Sequence, residues 1–252
     1  MSLIKDTALS LLALLLAACA PGPAGAELAV AAASDLKPAM DRLGAAFRRD
    51  HPEIRLRVTF GSSGNFYAQL LQQAPFDVFL SADSFYPRKL AEKGLALPAS
   101  EFTYAIGRLA VWLPAASPAA GLGALAQPGV RRIAIANPAH APYGRAAEAA
   151  LRHFGLYTAV QPRLVYGENV AQAMHFARSG SAQAAIVALS LTLGAGGETR
   201  EIPQQAYPRL EQGGLILKWT RQPAAARAFR AFLLSQGGRA ILAQSGFFLP
   251  EV

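Results

Sequence analysis

Cysteine is almost missing from this 252-residue chain: Cys19 is the only one, and it falls in the N-terminal leader-like stretch. The body of the chain therefore holds no disulfide, no thiol nucleophile and no thiolate metal site. Charge is scarce as well, at 16% of residues, and histidine occurs only at His51, His140, His153 and His175. Those four show no metal-ligand spacing, and surface or capping roles are expected of them. The formal charge of +8 raises nucleic acid as a partner, but the basic residues are scattered, with pairs only at Arg48-Arg49, Arg88-Lys89 and Arg131-Arg132. No basic stripe interleaves with aromatics, so the charge predicts attraction to anions in general and no nucleic-acid partner. Repeats of solenoid period are absent too.

At the N-terminus, Lys5 precedes an apolar run from Ala8 to Ala18 that is too short to span a bilayer as an ordinary helix. Ala24-Gly25-Ala26 suits signal-peptidase cleavage before Glu27. Leu16-Ala17-Ala18-Cys19 instead suits a lipobox, which would leave a lipidated Cys19 and a membrane anchor. Either reading places the mature protein outside the cytoplasm, in the periplasm.

From Leu28 onward short apolar runs alternate with helical patterns. Leu28–Ala33, Ile54–Phe60 and Asp77–Ser81 read as strands. Between them run helices carrying Leu36, Ala39, Met40, Leu43 and Phe47, then Phe66, Leu70 and Leu71, with Asp35 as N-cap of the first. A second series follows Phe102–Leu113. It has strands at Arg132–Ala136, Leu164–Tyr166, Ala184–Leu189 and Leu215–Trp219, and helices from Arg145 to Phe154, from Val170, and from Pro223 to about Ser245. The alternation predicts an α/β fold with mainly parallel sheets. No linker or composition shift separates the two series, so two interleaved lobes are expected, with the chain crossing twice.

Two serine-bearing turns stand out, Ala31-Ala32-Ala33-Ser34-Asp35-Leu36 and Phe60-Gly61-Ser62-Ser63-Gly64-Asn65. Each ends a strand and opens a helix, where hydroxyls and unused backbone N–H groups can hold an anion without a counter-charge. In the second series Tyr143, after a Pro-rich turn, could offer its N–H and its hydroxyl, and Val170, at a helix start, only its N–H. Simple capping by the serines and core packing by Tyr143 and Val170 are the competing readings. A catalytic reading also exists, because Ser34-Asp35-Leu36-Lys37 matches the Ser-x-x-Lys nucleophile motif of penicillin-recognising serine enzymes. Its supporting Ser-x-Asn and Lys-Thr-Gly elements are missing, and no general base stands out.

These turns, together with Ala74-Pro75-Phe76-Asp77-Val78-Phe79-Leu80-Ser81-Ala82-Asp83, Asn137-Pro138…Pro142-Tyr143-Gly144, Gly167-Glu168-Asn169-Val170 and Tyr207-Pro208…Gly246-Phe247, resemble the periplasmic molybdate-binding proteins of bacterial ABC importers. The resemblance covers the chain from Glu27 onward. It implies a two-lobed type II periplasmic-binding-protein fold with two hinge crossings: residues 1–26 a signal peptide, 27–104 plus 208–252 the first lobe, and 105–207 the second. It further implies molybdate, and tungstate, held in the cleft by Ser34, Ser63, Tyr143 and Val170. The protein would then be a monomer and no enzyme, needing no cofactor or direct protein–metal ligand and delivering its anion to an ABC permease and its ATPase. Ala188 departs from the pattern, since some members carry a ligand tyrosine after the Ile-Val pair. Sulfate or phosphate receptors, and more remotely an acyl-transfer enzyme using Ser34 and Lys37, are the alternatives.

Overall fold

The computed structural model describes residues 25–114 and 122–251. Residues 1–24, with Cys19 and the leader expectations attached to them, lie outside this range, and no described helix is long and apolar enough to cross a membrane.

The first series builds β1 (Ala26–Ala33), α1 (Lys37–Asp50), β2 (Ile54–Gly61), α2 (Ser63–Leu71), β3 (Val78–Leu80), α3 (Phe85–Glu92) and β4 (Phe102–Gly107). Continuing, β5 (Leu109–Leu113), β6 (Ile133–Ala136), α4 (Pro142–His153), α5 (Tyr157–Val160), β7 (Leu164–Gly167), α6 (Val170–Arg178), β8 (Ala184–Ala188), α7 (Leu189–Thr192) and β9 (Glu198–Glu201) form the second. The chain then returns through β10 (Leu210–Ile216), α8 (Pro223–Leu234) and α9 (Gln236–Gln244).

Two five-stranded sheets result, in the orders β2-β1-β3-β10-β4 and β7-β6-β8-β5-β9. In each, the fourth strand in that order runs against its neighbours, and the other four share one direction. The two reversed strands, β10 and β5, each directly follow a crossing between the sheets. The architecture is the expected two-lobed α/β fold.

Burial explains which elements were easy to read. Strand β1 lies inside its sheet with helices on both faces, so its run is apolar throughout. Leu28, Val30 and Ala32 enter one core cluster and Ala31 enters another. Edge strand β2 covers only one face, which is why Leu56, Val58 and Phe60 alternate with Arg55, Arg57 and Thr59. Helix α1 buries Ala39, Met40, Leu43, Ala46 and Phe47 at helical spacing.

Several expectations change. The run from Phe102 to Leu113 is two strands, and Arg108 between them is where the chain leaves the first sheet for the second. The last strand is Leu210–Ile216, because Leu217 to Trp219 no longer follow the ladder beyond an isolated bridge. The helix expected over 223–245 breaks at Ser235, whose extended backbone (φ −69°, ψ 164°) lets its hydroxyl cap α9 by accepting from Gly238 N–H at 3.2 Å. Strand β9, reading Glu-Thr-Arg-Glu, is a polar edge and carried no apolar signal.

Candidate oxyanion site

Parallel pairing places the serine turns side by side. Ala33 of β1 pairs with Gly61 of β2, so both strands end at one level and release Ser34 and Ser62-Ser63 together. In the second sheet Ala136 of β6 pairs with Gly167 of β7, which brings the starts of α4 and α6 together in the same way. The two pairs of turns face each other across the lobes. One pocket is lined by Ser34, Asp35, Ser62 and Ser63 from the first and by Pro142, Tyr143, Asn169 and Val170 from the second. Its cavity volume is about 10 Å³, far below the roughly 300–1,000 Å³ of sites for drug-sized ligands. The four residues singled out in the sequence thus meet in one small space at the carboxyl ends of strands.

Neither Ser34 nor Ser63 caps its helix with its hydroxyl. Ser63 Oγ accepts from Ala82 N–H at 2.9 Å, and Ser34 Oγ accepts from Ala171 N–H, across the lobes, at 3.3 Å. A hydroxyl that already accepts an N–H keeps its own proton for donation. Both serines are buried and line the pocket, so those protons are available to an anion there.

The second lobe offers backbone. Helix α4 starts at Pro142, three residues earlier than expected, because proline supplies a preset φ at the first helical position. Tyr143 therefore sits in the first turn, where an N–H has no intrahelical acceptor, whereas Gly144 N–H already donates to Ala141 O at 3.0 Å. A Cβ on Gly144 would stand 2.3 Å from Ala136 O, so only glycine lets α4 approach β6 this closely. In α6 the Asn169 side chain caps the N–H groups of Ala171 and Gln172, at 3.1 and 3.0 Å, and leaves that of Val170 uncapped.

Asp35 is not the N-cap expected of it. It lies fully buried in a 3₁₀ turn (Ser34–Leu36), its carboxyl accepting from Gln212 Nε2. That amide also donates to the Tyr143 hydroxyl at 3.2 Å, and Gln212 Oε1 meets Tyr104 Oη at 2.9 Å. Burial pushes the Asp35 carboxyl up to about 6, only partly offset by Gln212 and by the Tyr143 hydroxyl beside it. Burial likewise raises both tyrosines well above their usual range, and the nearby Asp35 charge adds to it. The Tyr143 hydroxyl accepts from Gln212 Nε2 and so, like the two serines, keeps its own proton for donation. Ala188 is fully buried where β8 pairs with β5, and does not line the pocket.

Sequence reasoning missed the lip of the cleft. His140, read as bland, accepts at its carbonyl from Gly64 N–H at 2.9 Å and from Ser62 Oγ at 2.7 Å, across the lobes. Arg145 reaches back to Asp83 Oδ2 at 2.7 Å and to the Tyr86 hydroxyl at 3.3 Å, while Asn65 meets Glu168 at 3.3 Å. These are isolated polar residues in sequence, and only closure of the lobes pairs them. Lys37, the partner of Ser34 in the catalytic reading, is solvent-exposed and does not line the pocket.

A two-lobed fold with oxyanion donors converging at helix starts defines a solute receptor. Residues 28–248 match the family model described as bacterial extracellular solute-binding protein, and the chain belongs to that family. It is 38% identical over 237 residues to the molybdate-binding protein ModA of Rhodobacter capsulatus, covering 94% of this chain and 93% of that one. The solved periplasmic molybdate-binding protein of Azotobacter vinelandii superposes with a TM-score of 0.83 at 36% identity, covering 89% of this chain and all of that one. The sulfate-binding protein SubI of Mycobacterium tuberculosis, at 15% identity and a TM-score of 0.72 over 88% of this chain and 86% of that one, shares the fold.

Proposed function

We propose that this protein captures molybdate, and tungstate with it, between its lobes and presents it to the membrane permease and ATPase of an ABC importer. The observation carrying this reading is the convergence of donors from four helix starts on one small pocket, with a cavity volume of about 10 Å³. Such a site suits a compact anion that is held by hydrogen bonds and later released. Charge-assisted bonds contribute roughly 1.5–3 kcal/mol each, so a few of them reach micromolar affinity or better without a salt bridge. Similarity over nearly the whole chain to two molybdate-binding proteins supports the choice of anion.

The ligand drives closure because it bonds to both lobes and so favours the closed state, which the permease then recognises. Ser34, Ser63 and the N–H groups of Tyr143 and Val170 are the donors in this reading, and the protein binds its solute as a monomer without catalysing a reaction. It acts outside the cytoplasm, exported with or without a lipid on Cys19, a distinction read from the mass of the mature N-terminus. Calorimetric titration with molybdate, tungstate, sulfate and phosphate tests the assignment. Molybdate and tungstate should bind at about micromolar or tighter. Tighter binding of sulfate or phosphate would overturn it.

A further inference from the structure

Asp35 is a carboxyl where a receptor for a dianion should least tolerate one. It lines the pocket, it is fully buried, and its Oδ1 has no hydrogen-bond partner among the described residues. The other oxygen, Oδ2, is occupied as an acceptor by Gln212 Nε2. Facing it are the Tyr143 hydroxyl from α4, Gln212 from β10, with Tyr104 from β4 behind, and Ser190 from α7, whose Oγ donates to the Asp35 carbonyl at 2.8 Å. Asp83 and Tyr207 are the further titratable groups that bear on these tyrosines. Arg145 is engaged by Asp83 and Arg108 by Glu201, and Lys37, two residues along, is exposed and does not line the pocket. Among the described residues, no arginine or lysine lines the pocket to neutralise an ionised Asp35.

We propose that Asp35 is a specificity-determining residue of the pocket: it enters the closed complex as the neutral carboxylic acid, with its Oδ1 proton donated in a hydrogen bond to a fully deprotonated tetrahedral oxyanion. Capture of the dianion then takes up about one proton from solvent, and the proton stays on Asp35. The geometry selects which oxygen carries it, since Oδ2 is needed as an acceptor while Oδ1 is unpartnered. Burial has already brought the carboxyl to about 6, so protonating it at about pH 7 costs only about a tenfold factor in affinity. An ionised Asp35 would instead repel the dianion in a poorly screened cavity. A monoprotonated anion such as hydrogen phosphate brings its own proton and would prefer the carboxylate. The state of Asp35 thus separates anions that carry a proton near neutral pH from those that do not.

The proposal rests on the oxyanion reading above and is tested apart from it by calorimetry of the mature protein with molybdate, in buffers of different ionisation enthalpy at about pH 7.5. The expected result is uptake of about one proton per anion, with affinity weakening about tenfold per pH unit above about 7. Asp35→Asn should abolish the uptake and flatten the profile while molybdate still binds, because the amide supplies an N–H in place of the acid proton. Molybdate binding by the wild-type protein without proton uptake would overturn the proposal and leave the ligand assignment standing, whatever the variant does. Uptake that persists in Asp35→Asn would also overturn it. Absence of molybdate binding by the wild-type protein, or tighter phosphate binding without proton uptake, would overturn both.

Discussion

The two halves of the pocket come from sheets of matching strand order, yet they line it with donors of different kinds. The first lobe offers hydroxyls, Ser34 and Ser63, each polarised by an N–H that it accepts. Its counterpart offers backbone N–H groups from the starts of α4 and α6, kept uncommitted by helix position and by the Asn169 cap. Chemistry in the first half lies in side-chain identity and in the second in backbone placement. If both halves donate to one ligand, as proposed, substitution should therefore injure them unequally.

The largest effect is expected where the halves meet. A Cβ on Gly64 would lie 2.6 Å from His140 O in the opposite lobe and 2.6 Å from the Tyr86 hydroxyl, the far end of a side chain in its own lobe that can swing aside. Gly64→Ala should therefore block closure, and at least two hydrogen bonds to the anion, worth about 3 kcal/mol or more, would be lost. Each lobe should still fold, so the ligand-free melting temperature should change little while affinity for molybdate falls by about a hundredfold or more. Undiminished affinity would show that the lobes need not close this tightly.

Asp35 tests the floor between the halves. Its carboxyl is raised from 3.8 to about 6, so the folded state keeps a proton that the unfolded state has lost. Ligand-free stability should fall as pH rises from about 4 to about 6, by roughly 3 kcal/mol, and stay lower above that range. Asp35→Asn should remove this loss and raise the melting temperature at neutral pH, with a smaller effect near pH 4. Equal shifts at both pH values would refute an ionised, unneutralised Asp35 in the ligand-free protein.

Next come the donors themselves. Ser34→Ala and Ser63→Ala should each cost about 1.5–3 kcal/mol of molybdate affinity in a titration. Val170→Pro should cost a similar amount. Proline suits the first helical position, and Asn169 before it is already extended (φ −144°, ψ 173°), so the change removes the N–H and little else. Val170→Ala keeps the N–H and should bind within about twofold of the wild type. If Val170→Ala proves as harmful as Val170→Pro, the side chain matters and the contrast between the halves collapses.

The smallest effect belongs to the lip. Arg145 is 41% exposed against Asp83 at 15%, so Arg145→Ala should weaken affinity by only about 0.5–1 kcal/mol, and less at high salt. A salt-independent loss would mean that Arg145 acts on the pocket and not through its pair at the surface.

How much of this was legible depended on whether a feature is local. The strand-to-helix turns at Ser34 and Ser63 announced themselves, because an apolar run followed by a polar break and a helical pattern needs no distant partner to be read. The N-cap expected at Asp35 was local reasoning of the same kind, and it failed because Gln212, 177 residues away, claims the carboxyl. His140 and Arg145 gave no signal, since their partners Ser62 and Asp83 belong to the other lobe. The break in the run from Phe102 to Leu113 was hidden because strands of two different sheets look alike when only Arg108 separates them.

The sequence by itself determined the α/β alternation, the apolar central strands and the serines and helix starts that can donate to an anion, all consequences of burial periodicity and short-range hydrogen bonding. Only the tertiary structure decided that four such starts share one pocket, that the Asn169 cap leaves Val170 N–H uncommitted and that Asp35 faces the cavity. Those outcomes rest on strand register and on the apposition of two lobes, which bring together residues whose separation along the chain carries no local trace.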